Sequence, residues 1–153
     1  MIRLETILHP TDFSESSRYA LELGCAIARD QFARVLLLHV LPRPQRSRTA
    51  ELSGVKSQHT EEDLKAYRDE MAGLLARARE SAPYARVESM LKEGPVAGTI
   101  VRTAAEHACD LIVMGCHGQA HLPLVMMGNV AAAVTRVATC PVVTVSRPRH
   151  NHA

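Results

Sequence analysis

Short apolar runs and longer stretches with an apolar residue every three or four positions alternate along the chain. Five runs, at 2–9, 34–41, 86–92, 110–115 and 142–146, are rich in Val, Ile and Leu and have the length of strands. Val35-Leu36-Leu37-Leu38 and Leu111-Ile112-Val113-Met114 are apolar at consecutive positions, which demands burial on both faces and marks central strands of a parallel sheet. Between the runs, four groups repeat at helical spacing: Ala20, Leu23 and Ile27; Leu64, Tyr67, Met71, Leu74 and Ala78; Ala97, Val101, Ala104 and Ala108; Val130, Val134 and Val137. Thr60 with Asp63 three residues on reads as a capping box, and Pro95 suits the first turn of the third helix.

The order β-α-β-α-β-α-β-α-β predicts an α/β fold. Because crossovers between parallel strands are right-handed, the expected form is an open parallel five-stranded sheet of order 3-2-1-4-5, with helices on both faces, Rossmann-like or flavodoxin-like. The chain then reverses direction beside the first strand, and a ligand crevice is expected between the C-terminal ends of strands one and four.

Length and charge narrow this further. The 153 residues, 46% hydrophobic, suit a single domain over 1–147 with a C-terminal tail at 148–153. Residues 42–59 lack core periodicity and carry four Lys/Arg, so they read as a solvated loop, with a basic partner-binding arm as the alternative. The 18 basic and 16 acidic residues are intermixed, which gives no nucleic-acid or membrane surface. No apolar stretch approaches the roughly 18 residues of a membrane span, and the first residues lack the pattern of a secretory signal. Cys25, Cys109, Cys116 and Cys140 show no metal-ligand spacing, which points to free thiols and a cytoplasmic protein.

The chemistry concentrates in 110–130, where a buried strand runs through glycines into the start of a helix. Gly115 and Gly118 allow a sharp turn and close approach of the backbone to a ligand. Gly128 and Asn129, at the helix start, would leave N–H groups free to meet an anion. Taken alone, the segment is equally a phosphate site or a glycine loop with an Asn helix cap. His117 and His121 lie four apart, but Gly118 and Pro123 break any helix between or beside them, so a metal site is not expected. Cys116 in the same loop is open to a redox role or to none. His9 and His39 sit at buried strand ends and read as hydrogen-bonded structural residues. Asp12, followed by Ser14 and a helix, reads as a cap residue or as a ligand contact.

The spacing Gly115-x2-Gly118-x9-Gly128-Asn129 resembles the ATP-binding signature of the universal stress protein family. The resemblance extends to residues 7–14 as the first strand and its turn, to 37–40 as the second strand and to 140–145 as the closing strand. It implies that Asp12 contacts ribose or adenine, with Pro10 and Thr11 shaping the adenine end, and that Val40 offers main-chain hydrogen bonds to adenine. Met114 and Gly115 would line the sugar side; His117, Gly118, Gly128, Asn129 and Val130 would hold the phosphates. Two departures stand out. Asn129 replaces the family's Ser or Thr, and the loop after Gly118 has no Lys or Arg. Phosphate charge would then rest on N–H groups, the helix dipole and a Mg2+ ion, with AMP or ADP as alternatives to ATP.

The function implied is a stress-response regulatory protein that binds ATP or another adenine nucleotide and forms a homodimer through its C-terminal strand. The alternative is an interaction protein of the same fold that binds no nucleotide. A dedicated enzyme is not expected: there is no P-loop and no nucleophile elbow, and the phosphate loop has neither carboxylates nor cations.

Overall fold

The computed structural model describes residues 2–42, 59–117 and 128–146. The loop expected at 42–59 and the C-terminal tail lie outside them, apart from the loop's first and last residues. Five strands alternate with four helices: β1 (Thr6–Pro10), α1 (Glu15–Gln31), β2 (Arg34–Leu41), α2 (Glu61–Ser81), β3 (Val87–Glu93), α3 (Val96–Glu106), β4 (Leu111–Gly115), α4 (Asn129–Val137) and β5 (Val142–Val145). All pairings are parallel and the sheet order is β3-β2-β1-β4-β5.

Alternation along the buried strands divides the core in two. Ile7, Val35, Leu37 and Val113 face α1 and α2. Leu8, Leu36, Leu38 and Ile112 face α3 and α4. Each of these side chains is almost wholly buried, and such burial contributes roughly 1.5–3 kcal/mol per residue. This explains why β2 and β4 carry apolar residues without alternation.

The helices differ from expectation in the faces they bury. In α1 the buried stripe is Ala20, Leu21, Gly24, Cys25 and Ala28, while Leu23 is exposed. The helix lies close over β4 and presents its small residues there: a β-carbon on Gly24 would already touch Val113 at 3.9 Å. In α3 the buried residues are Thr99, Ile100, Thr103 and Ala104; Ala108, expected on that face, lies past the helix end at φ 48°. In α4 Ala131 and Val134 are buried and Val130 and Val137 are exposed. Met71, Leu74 and Ala78 do form the buried face of α2.

Local chemistry sets several boundaries. Thr60 and Asp63 make both bonds of the capping box, at 3.1 and 2.8 Å. Pro95 occupies the cap position before α3 rather than its first turn. The first strand begins at Thr6 and not at residue 2, because pairing with β2 starts at Thr6↔Arg34. Ahead of it, the Asp110 carboxylate accepts the N–H groups of Glu5 and Thr6 at 2.8 and 2.9 Å, tying the start of β1 to that of β4.

Candidate functional site

A cavity of about 1150 Å³ opens over the C-terminal ends of β1, β2 and β4. Three segments supply its floor and one wall. Pro10, Thr11 and Asp12 come from the end of β1 and its turn, Val40 from β2, and Met114, Gly115 and His117 from the end of β4. The start of α4 adds Gly128, Asn129 and Val130. Every site residue named from the sequence therefore borders one cavity, except Gly118, which lies outside the described residues.

The turn after β1 is held by side chains. Asp12 Oδ1 accepts the Ser14 N–H at 3.0 Å and the Ser17 hydroxyl at 2.8 Å, and Thr11 Oγ1 accepts the Phe13 N–H at 3.0 Å. These bonds keep Phe13 at φ 63°, a region that side-chain-bearing residues rarely enter. Ser14, not Asp12, is the cap of α1: its hydroxyl accepts the Ser17 N–H at 3.3 Å. Asp12 thus belongs to the turn and to the cavity wall at once.

The main chain of Val40 is placed by strand parity. Arg34 N–H bonds to Glu5 and Leu38 C=O accepts from Thr11, so even-numbered residues of β2 direct their polar groups toward β1. Odd-numbered ones face β3, as Val35 N–H to Arg86 shows. Val40 therefore points its N–H and C=O to the side where β1 has already turned away, into the cavity.

Two glycines act differently from expectation. A β-carbon on Gly115 would lie 2.5 Å from Ser16 Oγ and 2.7 Å from the Ser17 nitrogen, so this glycine admits the first turn of α1 against β4. Gly128 does not leave its N–H free: it donates to Cys116 O at 2.7 Å. Among the described residues the donors of Asn129, Val130 and Ala131 meet no acceptor, because the first intrahelical bond runs from Ala132 to Gly128. Together with the dipole of the helix they form an electropositive, main-chain anion site.

The histidines divide into two kinds. His9 is fully buried, with Nδ1 donating to Val113 O at 2.8 Å, and burial pushes its pKa down to about 4 despite that bond and the charge of Asp12. His39 donates Nδ1 to Thr11 O at 2.7 Å. Both are hydrogen-bonded structural residues, although His39 also borders the cavity. His117 is different: the residue is 8% exposed, and neither ring nitrogen has a hydrogen-bond partner among the described residues. Burial also pushes the thiols of Cys25 and Cys109 up to about 11, so they stay protonated and inert. Among the described residues no cluster could hold a metal ion, and no helix is long and apolar enough to cross a membrane.

Sequence reading missed the opposite wall. Phe13, His39 and Tyr67 pack as three rings with centroids 4.6 to 6.4 Å apart. They come from the β1 turn, β2 and α2, and Tyr67 was legible only as part of a helix stripe. Arg18 and Arg77 also border the cavity, from α1 and α2.

An open parallel sheet with a cavity at the point where strand order reverses defines a doubly wound α/β protein. The chain belongs to the universal stress protein family, whose profile matches residues 3–146. It is 32% identical over 139 residues to universal stress protein YxiE of Bacillus subtilis, covering 88% of this chain and 93% of that protein. The solved structure of MJ0577 from Methanocaldococcus jannaschii superposes with a TM-score of 0.79 at 26% identity, covering 97% of this chain and 99% of that one. The universal stress protein of Archaeoglobus fulgidus, solved in complex with dAMP, shares the fold at a TM-score of 0.68 and 22% identity, over 95% of this chain and 99% of that one.

Proposed function

We propose that the protein is a stress-response regulator that binds ATP or another adenine nucleotide in this cavity. The reading rests above all on the convergence of the Asp12 carboxylate at the end of β1, the inward-facing main chain of Val40 and the N–H groups at the start of α4 that meet no acceptor among the described residues. His117 supports it: the residue borders the cavity and its ring has no partner among the described residues, and a buried polar group without a partner is a place where a ligand's polar atoms are expected. Family members solved with dAMP and with cAMP make an adenine nucleotide the natural candidate.

In this reading Pro10 and Val40 hold the base, Asp12 the ribose, and His117, Asn129 and Val130 the phosphates, with Mg2+ sharing the phosphate charge. Catalysis is not part of the proposal. The described carboxylates bordering the cavity are Asp12 and Glu70, on the β1 turn and on α2, and α4 brings none in its first turn. Phosphoryl transfer needs metal-holding carboxylates around the transferred group. Sustained ATP turnover at about 1 per second or faster would contradict this.

The protein is further proposed to act in the cytoplasm as a homodimer joined through β5. Among the described residues that strand pairs only with β4 and leaves its other edge open, and Val142, Val143 and Val145 are only half-buried. A second reading, an interaction protein without nucleotide, is favoured by Asn129 in place of a hydroxyl residue. Mass spectrometry of small molecules released from the purified protein, followed by calorimetry with ATP, ADP and AMP, separates the two. Co-purified or micromolar-binding adenine nucleotide is expected; no binding at millimolar concentration would favour the second reading.

A further inference from the structure

We propose that the cavity holds a second small-molecule site, on the α1/α2 side of the sheet, which takes a planar aromatic acid carrying a ring hydroxyl or ring N–H. The inference does not depend on the nucleotide reading, because the residues that carry it lie across the sheet from α3 and α4.

Strand parity divides the cavity. Val40 and Met114 continue the rows of Leu38 and Ile112, which pack toward α3 and α4. His39 continues the row of Val35 and Leu37 on the other face, where the rings of Phe13 and Tyr67 meet it. Asp12, at the end of β1, stands between the two lobes with Oδ1 committed to Ser14 and Ser17. At about 1150 Å³ the cavity exceeds the roughly 300–1,000 Å³ of a pocket for one drug-sized ligand, so a nucleotide on the α3/α4 side leaves the second lobe open.

Three features define what this lobe takes. Phe13 and Tyr67 lie 15° from parallel and are only half-buried, so ring surface borders the cavity and suits a flat aromatic ligand. His39 donates Nδ1 to the Thr11 carbonyl, which leaves Nε2 as a lone pair; that atom has no partner among the described residues and, unlike Nε2 of His9, is not closed off. It is placed to accept a hydroxyl or N–H. Arg18 from α1 and Arg77 from α2 border the lobe without an ion pair among the described residues, against the single carboxylate of Glu70, so the balance favours a monoanion.

Gly73 adds an independent observation. It lies inside α2 beside Glu70, Leu74 and Arg77 at the cavity, where glycine weakens a helix relative to alanine. No packing requires it: a β-carbon there would meet nothing within 4 Å. Its effect is to keep the lobe open on the α2 side.

The test is calorimetry of 4-hydroxybenzoate binding to the full chain. Expected is a dissociation constant on the order of 0.1 mM. Two control compounds should bind at least about ten-fold more weakly: 4-hydroxybenzyl alcohol, which lacks the charge, and cyclohexanecarboxylate, which lacks the aromatic ring and hydroxyl. Gly73→Leu should fill the lobe and weaken binding about ten-fold or more, while its melting temperature holds or rises because leucine favours a helix. Arg77 is exposed, so Arg77→Gln leaves the fold intact and should weaken binding roughly three- to ten-fold. The Tyr67 ring resonances should shift when the acid is added, and ATP should not displace it. Absence of binding at millimolar concentration, equal binding of either control compound, unchanged binding in either variant, unshifted Tyr67 resonances or displacement by ATP would each overturn the inference. None of these outcomes touches the nucleotide reading, which stands or falls on the binding of ATP, ADP and AMP alone.

Discussion

Ser17 donates its hydroxyl to Asp12 Oδ1 across 2.8 Å, joining the first turn of α1 to the carboxylate at the cavity wall. The same oxygen accepts the Ser14 N–H, so the carboxylate is oriented by the fold rather than by a ligand. Orientation in advance lowers the ordering cost of binding. It also gives Asp12 two roles that one substitution cannot separate.

Two substitutions can. Asp12→Ala should lower stability by about 1–2 kcal/mol and nucleotide affinity roughly ten- to hundred-fold. Ser17→Ala removes only the tie and should lower stability by about 1 kcal/mol while changing affinity less than about three-fold. Thermal melts and calorimetry on both variants check this; equal affinity losses would mean that Asp12 acts only through the turn.

Asn129 opens α4 and borders the cavity, at the position where the resemblance to the family's ATP-binding signature implies a hydroxyl residue. Asn129→Ser should tighten ATP binding by about 1 kcal/mol, roughly five-fold, because a short hydroxyl donor replaces a bulkier amide. AMP should gain less. Equal gains for the two nucleotides, read by calorimetry, would show that residue 129 does not meet the outer phosphates.

His9 makes the fold acid-sensitive. Its pKa is lowered to about 4 in the folded protein, against about 6.5 when unfolded, chiefly because burial excludes the charged form. Above pH 6.5 both states are neutral and the full stability is present. Between pH 6.5 and 4 the unfolded chain binds a proton that the folded protein refuses. Stability should therefore fall as pH falls through this window, by roughly 3 kcal/mol in all from this residue. Urea unfolding at several pH values should show the loss, and His9→Gln should flatten it; an unchanged slope in the variant would assign the acid sensitivity elsewhere.

The open edge of β5 can be probed without touching its pairing to β4. Ile112 N–H bonds to Pro141 O and Cys116 N–H to Val145 O, so odd-numbered residues face β4 and the Thr144 N–H points outward. Thr144→Pro removes that outward donor alone. It should weaken a β5-mediated dimer about ten-fold or more while costing the monomer little. Light scattering after gel filtration reads the outcome; a monomeric unsubstituted protein at micromolar concentration would end the proposal.

Element order, the central position of β2 and β4, the capping box at Thr60 and the strand–glycine–helix segment were all determined by the sequence, because each depends on neighbours a few residues away. Strand order followed too, since handed crossovers leave few ways to arrange five parallel strands. Which face of a helix is buried was a different matter. In α1 the spacing of Leu23 and that of Leu21 are both helical, and only the close approach of β4 selects the stripe containing Gly24. Gly115 read as room for a ligand, but the contact it makes space for is Ser16, about a hundred residues earlier in the chain. The aromatic wall of Phe13, His39 and Tyr67, the capture of the Gly128 N–H by Cys116 and the unpartnered ring of His117 likewise belong to the tertiary structure. They arise where elements distant in sequence meet, and whether a polar atom finds a partner there depends on side chains that no local pattern specifies.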